Sequence, residues 1–162
     1  MKNKQNLIIV FILLSIWFRL VPHPPNFTPV TSLALFSGVM LNRKWLSLIV
    51  PLIAMILSDI ILGFSSITIW VYLGFGLITI SGWLFKEMKA KSVIISSIIF
   101  FLVSNFGVWW LSYPHTIDGL LVCYTLAIPF LGYSLLGDIF WSSILVTSYS
   151  YIEQRVVSFV EN

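Results

Sequence analysis

Charge is what this sequence has least of. Only 9% of its 162 residues are Asp, Glu, Lys or Arg, whereas a soluble domain carries about 25%, so the polar material needed to cover a water-facing surface is missing. No polar stretch is long enough to form a separate soluble domain, and residues 1–162 are expected to make a single transmembrane domain. Cysteine is nearly absent as well. A lone Cys123 excludes an intramolecular disulfide. Catalytic signatures are lacking: there is no HExxH, no Gly-x-Ser-x-Gly and no phosphate-binding loop. No enzyme activity is expected, and any pumping would have to draw on a partner or a gradient. The two histidines, Cys123 and the carboxylates Asp59, Asp118 and Asp138 match no metal-ligand spacing, so neither a metal site nor a cofactor is expected. The basic residues are scattered singly between apolar segments, which argues against nucleic acid and for membrane topology.

What is present in abundance is hydrocarbon. The chain is 59% hydrophobic, with a mean hydropathy of +1.00. Its apolar runs are Leu7–Val21, Phe27–Leu41, Trp45–Leu62, Ile67–Phe85, Ser92–Leu111, Leu120–Leu131 and Ser134–Ile152. In lipid every backbone polar group must be satisfied within the chain. These runs are apolar on every face rather than alternating as in a barrel, so helices are predicted. Lys2 and Lys4 followed by an apolar run imitate a secretory signal, but Arg19, Leu20, Val21 and Pro22 stand where a small-residue cleavage site belongs; an uncleaved first span is expected. Leu120–Leu131 would rise only about 18 Å as a helix against about 30 Å of hydrocarbon. The predicted fold is therefore an all-α polytopic bundle of about six spans plus one short re-entrant or tilted segment.

Lysine and arginine orient it. With the N-terminus cytoplasmic, Lys2, Lys4, Arg43, Lys44, Lys86, Lys89 and Lys91 all fall inside. If Leu120–Leu131 dips in and returns, Arg155 also ends inside. The predicted location is the inner (plasma) membrane, multi-pass, with membrane lipid as its surroundings. Pro22-His23 echoes Pro114-His115, and Ser58-Asp59-Ile60 echoes Gly137-Asp138-Ile139, but the spacings between halves differ.

Polar residues gather toward the outer side. Pro22, Pro24, Pro25 and Pro29 cannot continue a helix and hold their neighbours extended. They make a stiff outer loop presenting Arg19, His23, Asn26 and Thr28. Asp59 falls in the outer half of the third span at a depth similar to Arg19. Each charge is costly in lipid, so the two are expected to pair. Asn105 and Trp109 share a helix face near the outer end of the fifth span, whereas Trp110 and Tyr113 suit an interfacial belt. Asp138 is placed with this outer group, near the start of the last helix. Prolines, aromatics and a few convergent polar groups suit a small-ligand pocket. Arg19, His23, Asn26, Thr28, Asp59, Asn105 and Trp109 are the expected substrate-binding residues. Ala34 and Gly38 form a small-xxx-small pair that permits close helix approach, read as packing within the chain.

The signature Arg19-x-x-Pro22-His23-Pro24-Pro25-Asn26-Phe27-Thr28-Pro29, continuing to Gly38 and followed by Pro51 and the Ser58-Asp59 helix, resembles a bacterial integral membrane family of unassigned function. In size, span count and topology the chain is more distantly similar to S components, the substrate-binding subunits of energy-coupling-factor (ECF) transporters. That resemblance implies a six-helix protein that captures a small molecule such as a vitamin or metal near the outer face. The loop between the first two helices would close over the ligand, and a transmembrane coupling protein with ATPase subunits would be the partner. S components usually carry an Ala-xxx-Ala docking motif on the first helix; Leu7–Val21 contains no alanine. The rival reading is a scaffold resembling the rod-shape protein MreD, which would bind proteins through a filled, greasy core. Reporter fusions after Asn162 and within Lys86–Lys91 are expected to read cytoplasmic alike; an extracellular C-terminus would overturn the predicted topology.

Overall fold

The computed structural model of the protein describes the backbone of residues 2–160 and the side chains of residues 6–154; the side chains of Lys2, Lys4 and Arg155 lie outside the described ones. The described residues form six α-helices and no strand: α1 (Lys2–Leu20), α2 (Val30–Met40), α3 (Lys44–Leu62), α4 (Thr68–Phe85), α5 (Ala90–Ser112) and α6 (Ile117–Val160). Helices α3 to α6 are long and apolar enough to cross a membrane, four rather than the expected six. The apolar part of α1, Asn6–Leu20, and the whole of α2 are shorter. The 11 residues of α2 rise only about 16 Å, roughly half the hydrocarbon thickness. The cause is local. Pro29 lacks an N–H, which costs nothing at a helix start, and it closes a stretch whose prolines disfavour helix in the residues before them, so α2 starts after it, with the Leu33 N–H bonded to the Pro29 carbonyl at 2.9 Å. Phe27–Pro29, apolar enough to read as part of a span, belong to the loop.

Helix α2 touches all five others, and those five touch one another in the closed order α1–α3–α4–α5–α6–α1. The bundle is a ring of five helices around a short central one. Val30 to Gly38 are accordingly all buried, as expected of a helix apolar on every side. The ring turns large apolar side chains outward, among them Leu13 and Trp17 of α1, Ile60 and Ile61 of α3, and Leu73 of α4. Such a belt suits lipid rather than water.

Two features let α2 sit this deep. Gly38 meets Gly82 of α4 so closely that a Cβ added at Gly38 would overlap the carbonyl oxygen of Thr79. Thus Gly38 serves packing inside this chain. On the other side Pro51 leaves the Ser47 carbonyl of α3 without its helical donor, and Ser37 Oγ of α2 donates to it at 2.8 Å. The Ser47 hydroxyl in turn accepts from Trp83 Nε1 of α4 at 3.0 Å, which ties three helices at one level.

The expected short segment Leu120–Leu131 is neither re-entrant nor separate: it is the first part of α6, which runs for 44 residues. Pro129 and Gly132 lie within this helix, as prolines and glycines inside apolar helices are tolerated where neighbours re-satisfy the backbone. Cys123 Sγ donates to the Asn105 carbonyl of α5, and Ser97 of α5 meets Asp138. Between these points the axis advances roughly 12 Å along α5 but roughly 22 Å along α6. Helix α6 therefore does not run straight beside α5, and Pro129, which crowds the carbonyl of Thr125, lies in the stretch where they diverge. Leu7, Met40, Leu41 and Ile152 belong to one apolar cluster, so the start of α1 and the late part of α6 both lie toward the end of the bundle that carries the lysine loops. The proline loop lies at the other end.

Gly38→Ala is expected to lower the melting temperature of the detergent-purified protein by an amount matching an overpacking cost of about 1–3 kcal/mol. Gly76→Ala, where an added Cβ has nothing within 4 Å, should leave it unchanged or slightly raised. Equal effects at both positions would contradict the close α2–α4 approach.

Candidate functional site

Because α2 is half-length, the ring is not filled at the proline-loop end. A cavity of about 330 Å³ lies there, at the small end of the range for ligand pockets. Phe75 of α4 and Phe100 of α5, stacked with centroids 4.8 Å apart, close it from below. Arg19 of α1, Met55 and Asp59 of α3, and Thr68 and Val71 of α4 form walls, and Thr31 enters from the first turn of α2. His23, Asn26 and Thr28 line it from the proline loop, and Gly63 and Ser65 from the α3–α4 connection.

The loop is shaped by its sequence. Phe27 N–H donates to the Pro24 carbonyl at 3.0 Å, with Pro25 and Asn26 between. Pro25 presets the first central position and Asn26 takes φ 61° at the second, the signature of a type II turn; asparagine tolerates this left-handed conformation better than most residues. His23 Nδ1 lies 2.7 Å from the Val21 carbonyl. A carbonyl can only accept, so Nδ1 carries a proton and Nε2 is left to meet other partners. Phe27 points away from the cavity. It lies against Gly137 of α6, where an added Cβ would come within 3.0 Å of the Phe27 Cα, and its ring meets Phe140 at 5.7 Å. The loop is thereby pinned to α6 while Asn26 and Thr28 face the cavity.

One wall is ionic. Arg19 forms a salt bridge to Asp59 Oδ1 and also contacts the Met55 sulfur. Tyr72 of α4 donates to Asp59 Oδ2 at 2.8 Å. Both carboxylate oxygens are therefore engaged, and α1, α3 and α4 are locked together near their ends. The guanidinium still has Nε buried without a partner. Asn26 and Thr28 make no side-chain hydrogen bond among the described residues, so their polar atoms are free to meet a solute.

The sequence-derived site residues divide accordingly. Arg19, His23, Asn26, Thr28 and Asp59 come together around the cavity; Asn105 and Trp109 do not reach it. Asn105 turns its amide back to the Phe101 carbonyl of its own helix at 2.8 Å, and Trp109 donates to the Pro114 carbonyl at 3.1 Å beside His115. Both belong to the far side of the ring, where α5 meets α6. Asp138 is also not in the outer group. The unbroken α6 carries it deep into the bundle, where it meets Ser97, which lies nearer the lysine end of α5 than the proline-loop end. Sequence reasoning missed Tyr72, Thr31 and the Phe75–Phe100 pair. A tyrosine one turn into a span reads as an interfacial anchor, and nothing in the sequence marks which phenylalanines stack.

Asp59→Asn is expected to destabilise the purified protein by about 3 kcal/mol, because it strands a half-buried guanidinium. The double variant Arg19→Met with Asp59→Leu should recover most of that loss. Additive losses in a double-mutant cycle followed by thermal melting would contradict the coupling.

Neither the curated proteins nor the solved structures contain a match to this sequence. The profile of a family described as "Family of unknown function (DUF6580)" does match, over residues 1–159. The chain belongs to this DUF6580 family.

Proposed function

We propose that this chain is the substrate-binding membrane subunit of a transporter, S-component-like, which captures a small organic solute from the outer face of the inner membrane. The observation that carries this reading is the open, polar-rimmed cavity above the short central helix. A scaffold resembling MreD has no use for such a space and would fill it with Trp and Phe side chains. The lysine end is the cytoplasmic end in this reading, following the charge rule.

The lining favours an organic solute over a metal ion. Among the described residues no group of three or more His, Cys, Asp and Glu stands together, and both oxygens of Asp59 are already in use. The stacked Phe75 and Phe100 offer an apolar base. The Asn26 amide, the Thr28 hydroxyl and His23 Nε2 offer hydrogen bonds around the rim, and the paired Arg19 and Asp59 add little net charge. A compact solute with an apolar or aromatic body and a polar edge fits that set. Prolines preset the loop, so less conformational entropy is lost when a solute is enclosed. Onward movement would fall to a transmembrane coupling protein with ATPase subunits.

Mass spectrometry of small molecules retained by the purified protein tests the proposal. The wild-type chain is expected to carry a solute that a mock purification lacks. Asn26→Gly, which keeps the left-handed turn, and Thr28→Val should each reduce retention at least about tenfold, the loss expected when one good hydrogen bond worth about 1.5 kcal/mol disappears. Melting temperature should hardly change. Absence of any retained solute, with these variants weakening capture of a protein partner, would favour the scaffold.

A further inference from the structure

Asp138 is a buried charge that the cavity does not use. Its side chain sits where α6 meets α5 and the first turn of α2, and the residue is 1% exposed. Ser97 donates to Oδ2 at 2.6 Å and the Thr31 hydroxyl lies against the carboxylate, while Oδ1 is buried with no hydrogen-bond partner. Ser32 donates to the Asp138 carbonyl at 3.1 Å and accepts from Ser142 at 2.9 Å, so hydroxyls surround the residue. The groups facing it are Thr31 and Ser32 from α2, Ser97 from α5, and Ser142 from α6 itself; none of these is charged. Among the described residues no lysine, arginine or histidine is paired with it. A carboxylate held this way in an apolar bundle is costly unless a positive charge neutralises it.

We propose that Asp138 binds one monovalent cation, a proton or a sodium ion, at a site built by α2, α5 and α6 beside the base of the cavity. Charge balance sets the valence: one carboxylate cancels one positive charge, whereas a divalent ion would leave an uncompensated charge in the apolar interior. Carboxylate and hydroxyl oxygens are hard ligands and suit a hard ion. Thr31 links the two sites, since it lines the cavity and touches Asp138. Ser97 lies one turn from Phe100 of the cavity base. Only the purpose of the site, linking cation binding to solute capture, rests on the transport reading. The binding itself is tested without any solute.

The test is thermal melting of the full-length protein in detergent. It is run across a pH series in choline chloride, and again at fixed pH with sodium replacing choline at constant ionic strength. A cation bound only by the folded state raises the melting temperature by mass action, by about 3–5 °C for each tenfold increase above its dissociation constant. The wild-type protein should respond to one of the two cations, and Asp138→Asn should lose that response. Every other ionisable group is common to both proteins, so the difference reports Asp138. Ser97→Ala separates the sources. Loss of its donated bond should shift a proton response to lower proton concentration, whereas loss of its oxygen as a ligand should shift a sodium response to higher sodium concentration. A wild-type protein that answers to neither cation, or an Asn variant that answers identically, overturns the proposal. Should the Asn variant fail to fold, an unshifted response in Ser97→Ala overturns it as well.

Discussion

The half-length of α2 is the constraint on which the rest of this structure depends. A helix of 11 residues cannot fill a ring whose shortest member has 18, so one end of the bundle must be completed by something else. That end is bounded by the proline loop at the rim, the Phe75–Phe100 pair below and polar side chains between them, and it stays open. The cavity is therefore not carved out of a packed core. It is the space a full-length central helix would have taken.

Keeping α2 central sets requirements of its own. The helix buries every residue from Val30 to Gly38, including Ser32, Ser37 and Thr31, and each hydroxyl needs a partner in surroundings without water. Ser37 finds one in the carbonyl that Pro51 sets free, and Ser32 finds one in the Asp138 carbonyl. The glycines at the α2–α4 crossing remove the side-chain bulk that would hold the helices apart. Ser37 also reaches the Ala34 carbonyl of its own helix at 2.9 Å, so it is the Ser47 carbonyl, freed by Pro51, that depends on the neighbouring helix for a donor.

The two buried acids show how position decides chemistry. Asp59 lies one turn from the end of α3, where Arg19 and Tyr72 can both reach it, and its charge is cancelled within the chain. Asp138 lies deep, among hydroxyls only, with one oxygen left unpartnered. Their local sequences, Ser58-Asp59-Ile60 and Gly137-Asp138-Ile139, look alike, yet one acid is part of a wall and the other faces the middle of the bundle uncompensated.

The sequence by itself determined whatever follows from solvent. Scarce charge and long apolar runs call for helices suited to lipid, and the cost of isolated charges in such surroundings already pairs Arg19 with Asp59. The prolines announced the loop that carries His23, Asn26 and Thr28. Only the tertiary structure decided which apolar runs are full spans, that Leu120–Leu131 continues through Pro129 into α6, and that Asn105 and Trp109 face away from the cavity. The physical reason is that hydropathy reports the environment of a segment but not its neighbours. On a helix apolar all round, every face reads the same, and the choice of face is made by close contacts such as Gly38 on Gly82 and Phe27 on Gly137, which pair residues far apart in the chain.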